Sequence, residues 1–569
     1  MRSASPARRL WQAGKTRQAG NNDVMDPLTS KLNLDQGAVL LARELARRAG
    51  EPVTQLALTH TTVSIERAVL RLGGLDGADP GGMPWVNRLA DAVRASVGLE
   101  HGIALPVWDA LRAGGYPDLR ALAEAAAAGK ASFRLPVGGD AAAARELTVR
   151  SISAGVSTLD RQRARRARLT DDLADPPFPW VYLTVVAGDA DQAVAQAQAA
   201  ARDGADVIAV IRPSGQALLD YVPAGVAGPG REGGYATGES FRTMRAAIDQ
   251  TSRELGRYVR LTSYAAGLCM PEITTLAGLE RVDMMLSDCM HGIIVRDINP
   301  LRTFIDQRFS RAVGARAGLV VSPGEESFIS PGAARPAHAV SSAAPADAAD
   351  AAPAVIASQL LNEYFGREAG LETWQLGFGH GLELNPAGPD SFLLELAQAQ
   401  LVRELFPGAP LKYMPPTTRV TENAFAGCLL DAFFNLAGLM TDQSILCVGL
   451  MPEGNGLPLR ADRDLALANI RYVRAAAGRL GMSFAPDSFV VERAHQVLDE
   501  AVSLLRRIST EGLLNAIADG TFGVARRPPG GGYGLDGVVT RADGYFNPVA
   551  EILDGTDEGA QGDPVAELI

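Results

Sequence analysis

Lys412, in the run Pro410-Leu411-Lys412-Tyr413-Met414-Pro415-Pro416-Thr417, is the only lysine after Lys130. The chain has four lysines (Lys15, Lys31, Lys130 and Lys412) and fifty arginines. Where arginine is the default cation, a retained lysine marks a position suited to a compact ammonium, with its own size, hydration and ease of deprotonation, over a planar guanidinium. An incidental surface lysine is the alternative, and the place of Lys412 in the fold separates the two. The other residues that could carry chemistry are Arg212-Pro213-Ser214-Gly215-Gln216, Ser263-Tyr264, Asp288, His291, Arg296-Asp297-Ile298-Asn299, Ser322-Pro323-Gly324-Glu325-Glu326, His380 and Glu453. Taken singly, each is as readily a helix cap or a core hydrogen-bond partner.

The elements that must position them begin near residue 178, where short β-branched runs alternate with longer helical stretches. The candidate strands are 180–187, 206–212, 258–264, 282–287, 318–322, 373–379, 410–414 and 444–450. Eight strands alternating with helices predict a parallel (β/α)₈ barrel, an α/β fold. Ile293-Ile294-Val295 is assigned to a loop. The polar residues named above fall at or after the C-terminal ends of these strands, the rim on which barrel active sites assemble. Gly228-Pro229-Gly230-Arg231-Glu232-Gly233 matches G-x-G-x-x-G. It lies well beyond the second strand and opens no helix, so it reads as a glycine-rich loop over the barrel mouth with backbone N–H groups to offer a phosphate.

Around the barrel, residues 1–31 read as a disordered extension, with Met25 an alternative start, and 32–175 as a helical accessory region. Its first helix carries a stripe through Val39, Leu40 and Leu45, and Ser64 is a candidate cap for the next. Arg161, Arg163, Arg165, Arg166 and Arg168 predict a solvated helix face or a partner contact. The barrel occupies 176–480, interrupted at 331–356 by an Ala/Pro-rich insertion expected to be exposed. Residues 481–569 read as a C-terminal accessory arm with a helix at 490–508 and a glycine-rich turn at 528–534.

Composition narrows the function. A net charge of −11 disfavours general nucleic-acid binding, and 47% hydrophobic residues supply a large core. The four cysteines have no C-x-x-C spacing, which fits a reducing cytoplasm better than a disulfide scaffold. No apolar run reaches transmembrane length. The six histidines form no H-x-x-x-H or H-E-x-x-H pattern, and no G-x-S-x-G elbow occurs, so neither a zinc site nor a serine nucleophile is expected.

Several long strings resemble the α subunit of lysine 5,6-aminomutase. They are Asp206-Val207-Ile208-Ala209-Val210-Ile211-Arg212 followed by Gly215-Gln216-Ala217-Leu218-Leu219-Asp220-Tyr221-Val222-Pro223, then Gly267-Leu268-Cys269-Met270-Pro271-Glu272-Ile273, Arg296-Asp297-Ile298-Asn299 and Leu411-Lys412-Tyr413-Met414-Pro415-Pro416-Thr417. His60-Thr61-Thr62-Val63-Ser64-Ile65-Glu66-Arg67 fits as well, and the likeness spans roughly residues 32–480. The resemblance implies a radical enzyme using adenosylcobalamin and pyridoxal 5′-phosphate (PLP), which moves the terminal amino group of D-lysine or L-β-lysine to the adjacent carbon. It also implies a smaller β subunit that carries the cobalamin motif D-x-H-x-x-G and the Schiff-base lysine. None of the residues two before each histidine here is Asp, so that motif is absent from this chain.

The same resemblance assigns roles. Tyr264 corresponds to an aromatic residue that stacks on the PLP ring. Lys412 and Asp297 become the clamps for the zwitterionic end of the substrate, ammonium to carboxylate and carboxylate to ammonium, with Asn299 beside them. By its chemistry Arg212 is a candidate phosphate or carboxylate ligand, with a barrel-rim salt bridge the alternative, and Ser263 and His291 complete the expected cofactor-binding set. Lys412 as the Schiff-base lysine is the competing assignment. An ornithine 4,5-aminomutase, a non-catalytic scaffold for a cobalamin subunit and an unrelated barrel hydrolase are the alternatives for the whole chain.

Overall fold

The computed structural model describes residues 30–185, 190–210, 219–225, 237–265, 267–287, 290–295, 297–326, 351–381, 389–414, 424–449, 460–523, 528 and 530–554. The N-terminal region is helical: α1 (Gln36–Leu58), the short strand β1 (His60–Thr62), α2 (Val63–Leu72), α3 (Trp85–Val97), α4 (Ala104–Ala113), α5 (Leu119–Ala127) and the long α6 (Gly138–Asp172). Asp35 starts α1 by accepting from the Gly37 N–H at 2.8 Å. Val39 and Leu45 are buried along it, whereas Leu40 faces solvent. The cap of α2 is Thr62, which accepts from the Ile65 N–H at 3.2 Å; Ser64, expected there, is a buried residue of the first turn.

Eight parallel strands close the barrel in sequence order: β2 (Trp180–Val185), β3 (Val207–Val210), β4 (Arg260–Ala265), β5 (Met284–Ser287), β6 (Val320–Glu326), β7 (Gly379–Gly381), β8 (Lys412–Tyr413) and β9 (Ile445–Cys447), with β9 pairing back to β2. The helices that follow them are α7 (Ala190–Arg202), α8 (Gly238–Leu255), α9 (Met270–Leu279), α10 (Met290–Val295) with α11 (Pro300–Ala317), α12 (Ala352–Glu368), α13 (Ser391–Leu405), α14 (Ala424–Met440) and α15 (Arg460–Ala477). All six residues of β2 are buried. A parallel strand in a barrel is covered on both faces, by helices outside and lumen side chains inside, so burial does not alternate along it.

Three expectations need correction. Thr373–Gln375 is a 3₁₀ turn closed by a Glu372/Gln375 capping box, and the sixth barrel strand lies later, at 379–381. Ile293–Val295 belongs to the helix α10, not to a loop. The last residues of the Ala/Pro-rich stretch open α12, where Val355 and Ile356 are buried; 327–350 lie outside the described residues.

The N-terminal end of the barrel is closed by ions. Asp283 accepts from Arg166 (2.8 Å), Arg245 (2.9 Å), the Tyr258 hydroxyl (2.7 Å) and the Leu261 N–H (2.7 Å). Burial pushes its carboxyl up, but Arg245, Arg166 and Arg281 outweigh this and hold it below the usual carboxylate range. Arg166 also donates to the carbonyls of Ala317 and Gly318 at the end of α11. This arginine of α6, in a run expected to be solvated or to meet a partner, therefore locks α6 to the barrel.

The C-terminal segment is woven into the same body. α17 (Ser488–Glu511), reached through the single turn α16 (Leu480–Ser483), packs on α1, α12 and α13 and shares their core. Past α18 (Leu513–Ala518), β10 (Val538–Thr540) pairs antiparallel with β1, and α19 (Pro548–Asp554) returns to α6 and α11.

Candidate functional site

Side chains alternate across a strand, so each barrel strand sends one set of residues into the lumen and the other toward the helices. Trp180, Tyr182, Val207, Ala209, Met284, Val320, Ile445 and Cys447 form an apolar cluster separate from the wall-to-helix core. These are the lumen residues. The guanidinium of Arg260 lies 3.6 Å from the centroid of the Trp180 ring, which makes this pair the floor. Two residues further up their strands, Tyr182, Thr262 and Ser322 follow Trp180, Arg260 and Val320 on the same face.

Lys412 belongs to that second layer. Its ammonium sits 4.5 Å from the centroid of the Tyr182 ring, and the residue is 1% exposed. Among the described residues, no carboxylate and no hydrogen-bond acceptor pairs with it. A desolvated cation over a tyrosine face gains about 2 kcal/mol. That is less than the several kcal/mol that burying an unpaired ion costs. The Tyr182 ring thus offsets only part of the cost of burying this ammonium. Barrel layers are usually filled by Val, Ile and Leu. Here the layer holds Tyr182, Thr262, Ser322 and Lys412.

Tyr264 lies on the lumen side of β4, one step above Thr262, and is partly exposed. Ser263, expected beside it in the cofactor set, falls on the opposite face. Its neighbours Leu261 and Ala265 belong to the wall-to-helix core, and its hydroxyl is buried there without a hydrogen-bond partner.

Asp297 is exposed, in a left-handed turn (φ 52°) after α10. Asn299, expected next to the chemistry, is committed to structure. Its Oδ1 caps α11 by accepting from the Arg302 N–H at 3.1 Å, and its Nδ2 donates to the carbonyls of Gly530 (2.7 Å) and Gly531 (3.1 Å). His291 lies in α10. Arg212 lies outside the described residues, as do Asp288, Arg296 and Glu453.

His380 pairs with Tyr413 across β7 and β8, and both point outward. The His380 ring meets Tyr413 edge-on at 5.2 Å, and its Nε2 is 2.8 Å from Gln443 Oε1. Burial pulls its imidazole down to about 3, against the hydrogen bond to Gln443, so it is neutral. Tyr413 donates to the buried Glu395 at 2.5 Å. This group holds a two-residue strand from behind while Lys412 faces forward.

Ser322 was among the polar residues expected at the end of the fifth strand, whereas Tyr182 and Thr262 were not singled out from sequence. The signal for these two was parity: Tyr182 and Thr184 alternate with Val181 and Leu183 on one strand, and Arg260, Thr262 and Tyr264 take every second position of the other.

Comparison with known proteins agrees with this architecture. Residues 32–552 match the family model for the TIM-barrel domain of the D-lysine 5,6-aminomutase alpha subunit. The chain is 40% identical over 536 residues to the lysine 5,6-aminomutase alpha subunit of Acetoanaerobium sticklandii, covering 93% of this chain and 99% of that protein. The corresponding subunit of Fusobacterium nucleatum is 40% identical over 533 residues, with the same coverage. The D-ornithine 4,5-aminomutase subunit beta of A. sticklandii is 25% identical over 408 residues, covering 67% of this chain and 52% of that protein.

Proposed function

The chain belongs to the family of D-lysine 5,6-aminomutase alpha subunits, and on that premise we propose that it is the barrel subunit of an isomerase that shifts the terminal amino group of D-lysine or L-β-lysine to the adjacent carbon. Identity of 40% along nearly the whole length of the lysine subunits, against 25% along half of the ornithine one, favours the six-carbon substrate. When bound, adenosylcobalamin supplies a carbon radical, and PLP holds the migrating nitrogen and spreads unpaired density through its ring.

The observation that carries the reading is the buried Lys412 ammonium, unpaired among the described residues. It receives the substrate carboxylate, and the Tyr182 face keeps the ammonium pointed along the lumen. Asp297, exposed after α10, takes the neighbouring substrate ammonium. Anchoring both ends of the zwitterion sets the reach of the distal amine toward the mouth, where Tyr264 offers a flat aromatic side suited to the PLP ring. Arg212 and His291 complete the cofactor contacts in this reading. Ser263 faces the helices and is assigned none, and Asn299 is assigned to holding the rim loop. The packed lumen wall excludes water from the reacting carbon. Nothing in this chain corresponds to D-x-H-x-x-G, so cobalamin and the lysine that bonds PLP belong to a companion β subunit. A cytoplasmic location accords with the free thiols of Cys269, Cys428 and Cys447.

Lys412→Met in the complex reconstituted with its β subunit tests the reading. The loss of one charge-assisted contact, about 1.5–3 kcal/mol, predicts a KM for lysine raised roughly 10- to 100-fold. The visible absorbance of bound PLP should be retained. An unchanged KM, or disappearance of that absorbance, overturns the assignment.

A further inference from the structure

The second lumen layer contains two more groups without partners. Thr262 Oγ1 and Ser322 Oγ are completely buried and form no hydrogen bond among the described residues. Their strands, β4 and β6, alternate around the barrel with β2 and β8, which supply Tyr182 and Lys412. Alternate strands contribute the members of one barrel layer, so these four side chains ring one level of the lumen. A buried hydroxyl left unbonded costs free energy without return. What sets these two apart from other buried hydroxyls is their place in the lumen, at the level of the Lys412 ammonium. Trp180 and Arg260 stack on each other in the layer beneath, and Tyr264 lies one step above Thr262 on the lumen side.

We propose that Thr262 and Ser322, with Lys412, form a carboxylate-binding cup inside the barrel, and that the two hydroxyls select substrates bearing a carboxylate at the end remote from the migrating amine. The proposal rests on the reading of Lys412 as the carboxylate anchor. A carboxylate offers about four lone-pair sites. The ammonium takes one or two, and each hydroxyl donates its single hydrogen to another. In the cup the ammonium and both hydroxyls share one carboxylate as acceptor.

The test uses Thr262→Val and Ser322→Ala in the reconstituted complex. Each should raise the KM for lysine roughly tenfold or more, the equivalent of one hydrogen bond to a charged group. Inhibition by 1,5-diaminopentane, which lacks the carboxylate, should be unchanged. Thr262→Ser, which keeps the hydroxyl, should restore the KM. A residue that merely packs gives a different signature. Here the unfolding midpoint of the complex without substrate should stay level or rise, because an unsatisfied buried group is removed, while substrate affinity falls. If Thr262→Val fails to assemble, Ser322→Ala, which deletes one atom, decides by itself. Unchanged KM in Ser322→Ala and Thr262→Val, alongside a raised KM in Lys412→Met, overturns the cup and leaves the anchor standing. Unchanged KM in all three overturns both.

Discussion

Lys412 and His380 are both buried polar residues on adjacent short strands, and one position of register separates their fates. Gly379 faces Lys412 and His380 faces Tyr413, so the first pair looks into the lumen and the second toward the helices. Residue type drew attention to both, but only strand parity assigned one to the site and the other to the wall. The outward position has a measurable consequence. Burial holds the His380 imidazole at about 3 in the folded chain, against an unfolded value of about 6.5. Between those values the unfolded state binds the extra proton, so stability is lost as pH falls below about 6.5. At pH 5 the loss from this residue is about 2 kcal/mol relative to neutral pH. His380→Gln retains an amide for Gln443 but removes the titration. The drop in urea midpoint between pH 7 and pH 5 should shrink by that amount, and an unchanged drop would show that His380 is not buried neutral. Ser263 and Tyr264 repeat the parity lesson on β4. Neighbours in sequence, they sit on opposite faces, and only Tyr264 is on the lumen side.

Elements rich in β-branched residues were legible as strands, and six of the eight expected segments cover most of their barrel strand; the fifth, 318–322, catches only the first three residues of Val320–Glu326. The sixth fell short too, because Thr373-Trp374-Gln375 has strand-like composition but closes a capped 3₁₀ turn, while the true β7 is Gly-His-Gly. A three-residue strand with two glycines carries no periodicity to read. The C-terminal strap escaped for a different reason. Its glycine-rich turn was visible, but its docking place, 230 or so residues away along the chain, was not. Tyr533 donates to the Asp297 carbonyl at 2.7 Å and accepts from the Asn299 N–H at 2.9 Å, forming a bridge that braces the rim loop. Gly532, at φ 98°, lies so close that a Cβ there would meet the Ile298 and Asn299 backbone at 2.6–2.8 Å. Gly532→Ala should cost about 1–3 kcal/mol. It should also speed hydrogen exchange at the Asn299 and Tyr533 amides ahead of the barrel strands, while protection unchanged at both would show that the strap does not brace this loop. α11 beneath the loop is anchored by Arg302 and Asp306, paired at 2.7 Å with both side chains fully buried. Arg302→Met leaves the Asp306 carboxylate uncompensated, and a loss of about 3–5 kcal/mol in unfolding free energy is expected.

At the scale of the whole molecule, the barrel supplies a lumen layer of Tyr182, Thr262, Ser322 and Lys412 and a braced rim, but no residues matching the cobalamin motif. The purified chain should therefore show no aminomutase activity with PLP and adenosylcobalamin until a β subunit bearing D-x-H-x-x-G is added; turnover by the chain alone would overturn that division of labour. The barrel class and strand order, the placement of Lys412 and Tyr264 on it, and the family likeness were determined by the sequence itself. Local alternation and long matching strings depend only on neighbouring residues. Which face each strand residue takes, the polar ring of Tyr182, Thr262, Ser322 and Lys412, and the bracing of the Asp297 loop by the strap were decided by the tertiary structure. Those facts depend on barrel closure and register, which bring together side chains more than two hundred positions apart. Their energetic meaning, an unpaired ammonium beside unbonded hydroxyls, exists only once water has been removed from around them.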